Sequence, residues 1–151
     1  MNRIGTRSML LLLLLGLSSA ACGYVRVEGD AMAPTLADGE SVTVTKALEP
    51  LKRGDIVVFE HPRDRSKMFL KRIVGLPGEQ IEITAGGVTI DGRPLDEPYV
   101  LAANRSKAHW GPTRIQEGAY FVLGDNRRNS EDSRHWGAVP RELIRSKVPG
   151  R

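Results

Sequence analysis

The sequence predicts a mainly β fold that follows an apolar N-terminal segment. Short runs of alternating apolar and polar residues recur along the chain, which is the pattern of strands with one buried face. Sixteen glycines and nine prolines in 151 residues supply frequent turns, which favours short strands over long helices. No 3.6-residue apolar period is sustained after the N-terminal segment.

Residues 1–25 have the layout of a signal anchor or secretory signal sequence. Basic residues come first, leucines fill positions 10–15, and small residues precede Cys22. The segment could be an uncleaved hydrophobic helix, a cleaved signal, or a lipoprotein signal with lipidation at Cys22. In each case we expect the folded domain, residues 26–151, on the extracytoplasmic side. An anchor helix or a lipid would hold it at the cell membrane.

The strands follow from the alternation and from the turns that separate them. They are predicted at residues 24–28, 41–45, 56–59, 68–75, 80–84, 88–90 and 119–123. The polar residues at 61–66 indicate a hairpin loop, and those at 124–136 indicate a second polar loop. Residues 94–118 lack a clear period and predict an inserted loop or a small subdomain. Residues 140–147 fit either a helical turn or a last strand.

Composition argues against several classes of partner. The formal net charge is +4, but the basic residues are scattered among acids and apolar residues, so no nucleic-acid partner is expected. A basic face against anionic lipid headgroups fits a tethered domain better. With Cys22 as the one cysteine and three histidines far apart, neither a disulfide, a metal site nor another cofactor is predicted.

Lys71 is the first candidate for chemistry. Strand alternation places it on one face with Phe69 and Ile73, and places Arg72 on the opposite face. Apolar neighbours would desolvate the ammonium and lower the pKa of Lys71 toward neutrality, so the neutral amine could act as a general base. The alternative is a lysine on an edge strand whose amine reaches solvent.

Two loops are candidates to surround this lysine. Residues 27–36 combine a glycine turn with a proline-stiffened loop, which could equally be a plain loop with Met32 and Leu36 in the core. Residues 124–137 are dense in turn-forming polar residues. There, an Asp132–Arg134 pair could simply stabilise the loop, or the loop could orient a nearby group.

Together and in this order, the three segments resemble the signature boxes of the bacterial type I signal peptidases, peptidase family S26. The family pattern reads Gly-x-Ser-Met-x-Pro-Thr-Leu, then Lys-Arg, two hydrophobic residues and Gly-Leu-Pro-Gly-Asp, then Gly-Asp-Asn-Arg-x-x-Ser-x-Asp-Ser-Arg. The resemblance covers residues 27–147. It implies the family's coiled antiparallel β-domain and a Ser/Lys dyad that cleaves signal peptides from exported proteins.

The resemblance also implies roles for individual residues. Lys71 matches the general base, and Ser130 matches the hydroxyl that hydrogen-bonds and orients it. A charged frame beneath the site is matched by Arg72, Asp125, Asp132 and Arg134. The loop that shapes the nucleophile turn and meets substrate is matched by Gly29, Met32 and Pro34. The substrate would lie as an added extended strand.

The departure from the pattern is Ala31, which stands where the family has its nucleophilic serine. Without a hydroxyl no acyl-enzyme can form there, and the rest of such a site gives only about 10³–10⁴ over water. The sequence therefore predicts a crippled peptidase that still binds extended peptides. One alternative is an active peptidase with another nucleophile, although Thr35 and Ser41 would need a rearranged loop. Another is an envelope lipoprotein that uses the fold as an interaction module.

Overall fold

The computed structural model describes residues 23–47 and 50–151, which form two antiparallel β-sheets. The mainly β prediction is confirmed. The predicted N-terminal helix and Cys22 lie outside the described residues, and residues 23–25 belong to the first strand. None of the helical segments within residues 23–47 and 50–151 has the length and hydropathy of a membrane span.

The elements are short and closely follow the alternation in the sequence. In chain order the strands are β1 (Gly23–Arg26), β2 (Ser41–Lys46), β3 (Ile56–His61), β4 (Asp64–Gly75), β5 (Gln80–Thr84), β6 (Gly87–Ile90), β7 (Arg93–Pro94), β8 (Trp110–Arg114), β9 (Ala119–Leu123), β10 (Val139–Pro140) and β11 (Ile144–Val148). One α-helical turn, α1 (Ser133–Trp136), and two 3-10 turns, Ala102–Asn104 and Arg141–Leu143, complete the described elements.

The larger sheet places the lysine-bearing strand near its middle. Its strand order is β1-β2-β11-β3-β4-β9-β10, and the smaller sheet has the order β7-β6-β5-β8. Lys71 in β4 is opposite Val57 of β3, and Arg72 is opposite Ile56. On its other side β4 pairs with β9 only from Arg72 to Gly75, so the β4 residues before Arg72 pair with β3 alone.

Three clusters of buried apolar side chains form the core. One is centred on Phe59 and the third lies against the smaller sheet around Phe121. Met32 and Leu36 belong to the second cluster and are 2% and 0% exposed. Each buried side chain of this size contributes about 1.5–3 kcal/mol. Packing therefore fixes the loop of residues 27–36, as the plain-loop interpretation expected.

The structure differs from the sequence predictions mainly in the connections. The predicted polar loop of residues 61–66 is largely strand, because His61 pairs with Asp64 and leaves a two-residue turn. His61 closes this turn with its own ring, since Nδ1 accepts from the N–H groups of Arg63 (3.2 Å) and Asp64 (3.1 Å). Residues 94–118 contain β8, which completes the smaller sheet.

The two segments near the C-terminus also contain regular structure. The predicted polar loop of residues 124–136 ends in α1, which Asp132 caps at its N-terminus. Residues 140–147 contain both of the expected alternatives in succession, a 3-10 turn and then the start of β11.

Candidate active site

A cavity of about 750 Å³ brings together the three segments that carry the signature pattern. We call it the site cavity. Its walls are residues 25–32 from β1 and the following turn, residues 67–71 from β4, and residues 129–131, with Val58 from β3. Ala31, Lys71 and Ser130 all line it. The three segments therefore border one cavity.

The amine of Lys71 is buried rather than extended into bulk solvent. Lys71 is 5% exposed, its Nζ donates to the Leu70 carbonyl oxygen (3.1 Å), and Nζ lies 5.2 Å from the centroid of the Phe69 ring. Desolvation lowers the pKa of Lys71, while the carboxylates of Asp132 and Glu131 oppose the shift. The result is an amine that loses its proton more readily than an exposed lysine.

The backbone around Ala31 is fixed by the loop that follows β9. The Asn126 N–H donates to the Ala31 carbonyl oxygen (3.0 Å), and Asn126 Nδ2 donates to the Asp30 carbonyl oxygen (3.2 Å). Gly124 allows this approach, because a Cβ there would collide with the Ala31 oxygen and the Ser130 side chain. A glycine is required at position 124 for lack of space, which its sequence context alone does not reveal.

Ser130 contributes a hydroxyl with no hydrogen-bond partner. Its Oγ is buried, and nothing in the described part of the chain accepts from it or donates to it. The carbonyl oxygen of Ser130 accepts from Arg134 Nη2 at 3.4 Å. The hydrogen bond to Lys71 that the resemblance implies is thus not formed here, although both side chains line the site cavity.

Arg72 and Asp125 form the buried half of the charged frame. Arg72 donates from Nε and Nη2 to the two carboxylate oxygens of Asp125 at 2.8 and 2.7 Å. Asp125 also accepts from the Thr35 hydroxyl at 2.5 Å, and Arg72 Nη1 donates to the Gly54 oxygen at 2.9 Å. The Tyr99 ring covers the guanidinium, whose Cζ lies 4.0 Å from the ring centroid. The pair therefore joins β4, the loop after β9 and the loop that carries Ala31.

Asp132 and Arg134 form the second half. Arg134 donates from Nε and Nη2 to the Asp132 carboxylate, each at 2.8 Å, and Nη1 donates to the Arg127 carbonyl oxygen at 2.9 Å. Asp132 accepts in addition from the Gly124 N–H at 3.1 Å. The pair that the stabilising interpretation expected is present, and it shapes the loop that presents Ser130.

The hydroxyls considered as substitutes for serine lie elsewhere. Thr35 is occupied by Asp125 and does not line the site cavity. Ser41 is in β2, opposite Arg26, and is also absent from the lining.

Several supporting residues were not identified from the sequence. Tyr99 and Asn126 are two of them, and Asn104 is a third, because its Nδ2 donates to the Ala33 carbonyl oxygen at 3.1 Å. Glu97 forms a bidentate pair with Arg127 at 3.0 and 2.5 Å. Only the family pattern, which includes the residues at 126 and 127, could have pointed to any of them.

Comparison with known proteins identifies the family of this chain. The family model described as "Signal peptidase, peptidase S26" matches residues 2–150, so the chain belongs to this peptidase family. A signal peptidase I of Leptolyngbya laminosa is 37% identical over 155 aligned residues, which cover 95% of this chain and 75% of that protein. Signal peptidase I S of Bacillus subtilis (strain 168) is 42% identical over 122 residues, which cover 72% of this chain and 64% of that protein.

A solved structure is also similar. The crystal structure of a signal peptidase I from Enterococcus faecalis V583 matches with a TM-score of 0.56 and 34% sequence identity, covering 65% of this chain and 96% of that one. The fold is therefore that of a signal peptidase I. The chain spans less than two thirds of the length of some relatives, including that of Bacillus subtilis.

Proposed function

We propose that this protein is a signal peptidase I-type domain that binds extended peptides and whose own hydrolytic activity is crippled by Ala31. The observation that carries the proposal is the buried amine of Lys71, which lines the same cavity as Ala31. In a Ser/Lys site the neutral amine takes the serine proton while the oxygen attacks the scissile carbonyl. A methyl group at position 31 supplies no oxygen, so the base has nothing to activate.

The state of Lys71 supports its role as a base. Burial favours the neutral form of the amine, and a neutral amine can accept a proton. Arg72, in contrast, is buried in a bidentate pair with the Asp125 carboxylate and holds the frame. Neighbouring residues of one strand thus take different tasks on the two faces of the sheet.

Peptide binding is supported by the edge of β4. Before Arg72 this strand pairs with β3 alone, and residues 67–71 line the site cavity. Unpaired backbone groups beside an open cleft can bind an extended peptide as an additional strand. Apolar side chains such as Val27 and Met68 in the lining suit small apolar substrate residues.

The proposed ligands are signal peptides of exported proteins, with small residues at the last and third-last positions. The domain would work at the extracytoplasmic surface of a cell membrane, close to lipid. Lipidation at Cys22, the envelope-lipoprotein alternative, concerns a residue outside the described part. Mass spectrometry of the purified chain tests it, because a diacylglycerol on Cys22 would favour that alternative.

A second candidate function is slow hydrolysis by a water molecule in place of the serine. It is favoured by the buried Ser130 hydroxyl, which has no protein partner and lines the cavity with Lys71. A water that hydrogen-bonds Lys71 Nζ inside the cavity would take the place of the missing serine hydroxyl, and rotation of Ser130 Oγ toward the cavity would give it a second polar partner. Lys71 would then take the proton of that water as it attacks the peptide carbonyl.

One set of cleavage assays separates these functions. The substrate is a precursor with alanine at the last and third-last signal positions, and the proteins are the parent, Ala31→Ser, Lys71→Ala and the double variant. We expect binding without measurable cleavage by the parent, cleavage by Ala31→Ser, and none by either protein that lacks Lys71. Slow parental cleavage that Lys71→Ala abolishes would support the water mechanism. Cleavage that survives Lys71→Ala would refute both.

A further inference from the structure

A segment outside the signature pattern contacts both loops of the candidate site. Residues 97–104, which we call the linking segment, lie between β7 and β8. They form hydrogen bonds to the loop of residues 27–36 and to the loop of residues 124–137. The linking segment is absent from the described residues that line the site cavity. Any effect of this segment on the site must therefore act through the two loops.

Asn104 is the residue of the linking segment that binds both loops at once. Its Nδ2 donates to the Ala33 carbonyl oxygen at 3.1 Å, and its own carbonyl oxygen accepts from the Arg128 N–H at 3.1 Å. Ala33 is two residues from Ala31, and Arg128 is two residues from Ser130. The side chain and the backbone of one residue thus join the two halves of the site.

The linking segment is itself fixed at both ends. At one end, the Asn104 N–H donates to the Leu101 carbonyl oxygen at 2.9 Å in the 3-10 turn Ala102–Asn104. At the other end, Glu97 and Arg127 form a bidentate pair whose side chains are 8% and 6% exposed. Such buried, charge-assisted pairs are strong, so Asn104 can restrain the two loops instead of moving with them.

The contact supports the loop that carries Ala31 at a point that the other loop does not bind. Asn126 and Asp125 bind the two ends of residues 30–35. Ala33, in the middle of this stretch, is bound by Asn104 instead. An error of about 1 Å in the position of a reacting group can lower a rate about 10²-fold, so a restraint here matters for the side chain at position 31.

We propose that Asn104 is a positioning residue that fixes the loop carrying residue 31 relative to the loop that presents Ser130. The inference deepens the proposed function, and it rests on that function for the reaction that the positioning serves. The restraint itself needs no substrate. It can therefore be measured in the parent chain, where Ala31 forms no acyl-enzyme.

Residue-resolved amide hydrogen exchange in the intact chain, followed by NMR, tests the restraint. The change is Asn104→Asp, which keeps the shape of the side chain but replaces the donor that faces the Ala33 oxygen with an acceptor. The reporter is the Asn126 N–H, which donates to the Ala31 carbonyl oxygen and therefore exchanges when the two loops separate. We expect its exchange to become about fivefold faster, the equivalent of one hydrogen bond.

Three comparisons distinguish positioning from a general loss of stability. The Ala47 N–H, which is bound to the Arg145 carbonyl oxygen outside both loops, should exchange at the parental rate in Asn104→Asp. Gln116→Glu is the matched control, because it makes the same amide-to-carboxylate change at an exposed residue outside the linking segment and both loops. It should leave the Asn126 amide unchanged. Asn104→Ala, which removes the donor without adding charge, should also accelerate exchange of the Asn126 amide.

The kinetic test uses an Ala31→Ser background. There, Asn104→Asp should lower kcat for signal-peptide cleavage with little change in KM, because Asn104 is not among the described residues that line the cavity where substrate would bind. A raised KM with unchanged kcat would contradict a positioning role.

Unchanged exchange of the Asn126 amide in Asn104→Asp would overturn the inference, as would an equal acceleration at the Ala47 amide. Failure of the proposed function gives a different result. If Ala31→Ser stays inactive while Asn104→Asp selectively accelerates the Asn126 amide, the proposed function fails and this inference holds.

Discussion

Replacing Asp125 by alanine should unfold the domain more readily than any change at an exposed charge. Asp125 is 0% exposed and holds Arg72, itself 5% exposed, by two hydrogen bonds, and it also accepts from the Thr35 hydroxyl. Asp125→Ala leaves a buried guanidinium without its counter-charge, which costs about 3–5 kcal/mol. At about 3–4 °C per kcal/mol for a domain of this size, the melting temperature should fall by roughly 9–20 °C.

Far-UV circular dichroism during urea and thermal unfolding measures this loss. Asp64→Ala is the matched control, because Asp64 pairs with Lys67, their side chains are 42% and 66% exposed, and such a pair contributes about 0–1 kcal/mol. The double change Arg72→Met with Asp125→Leu should cost less than Asp125→Ala, since it leaves no unpaired charge. A loss below about 1 kcal/mol in Asp125→Ala would refute the assignment of this pair as the frame of the site.

Three further predictions follow from the same contacts. Because burial lowers the pKa of Lys71 below 10.5, the unfolded chain holds more protons between the two values, so the unfolding free energy should rise with pH there. Lys71→Met should remove that rise, and a slope equal to the parent's in urea unfolding would contradict it. Gly124→Ala should cost about 1–3 kcal/mol, because the new Cβ meets the Ala31 oxygen and Ser130. Gly86→Ala is the comparison for steric crowding, because a Cβ there makes only an ordinary contact with Thr84 and the backbone φ is not in the left-handed region. In an Ala31→Ser background Gly124→Ala should also lower kcat for signal-peptide cleavage, and unchanged kcat would show that this contact does not hold residue 31. Ser130→Ala in that background should lower kcat with little change in stability, and unaltered kcat would leave Ser130 without a role.

The sequence predicted which side chains share a face of a strand better than it predicted which strands pair with each other. Alternation correctly predicted that Lys71 shares a face with Phe69, because a period of two depends on local geometry alone. It could not predict that β4 pairs with β9 only from Arg72 onward. Pairing between strands that are distant in sequence depends on the packing of the whole sheet. The beginning of β4 was missed because its residues are mostly exposed and therefore show no apolar period.

In the candidate site, too, some features were predictable from the sequence and others depend on the whole fold. Only the family pattern indicated that Ala31, Lys71 and Ser130 belong to one site, and all three line one cavity. No local property of the three segments could have indicated this. The contacts that fix these three residues were not predictable, because they depend on how closely the loops approach each other in the folded chain. The hydrogen bond from the Asn126 N–H to the Ala31 carbonyl oxygen is one example, since it joins loops far apart in the sequence.

The central claim is that the amine of Lys71 faces the side chain at position 31, and a crystal structure of Ala31→Ser tests it most directly. The account predicts the serine Oγ within about 2.6–3.2 Å of Lys71 Nζ, the distance over which a general base takes a proton. An amine turned toward bulk solvent, or a serine hydroxyl directed away from the cavity, would contradict it.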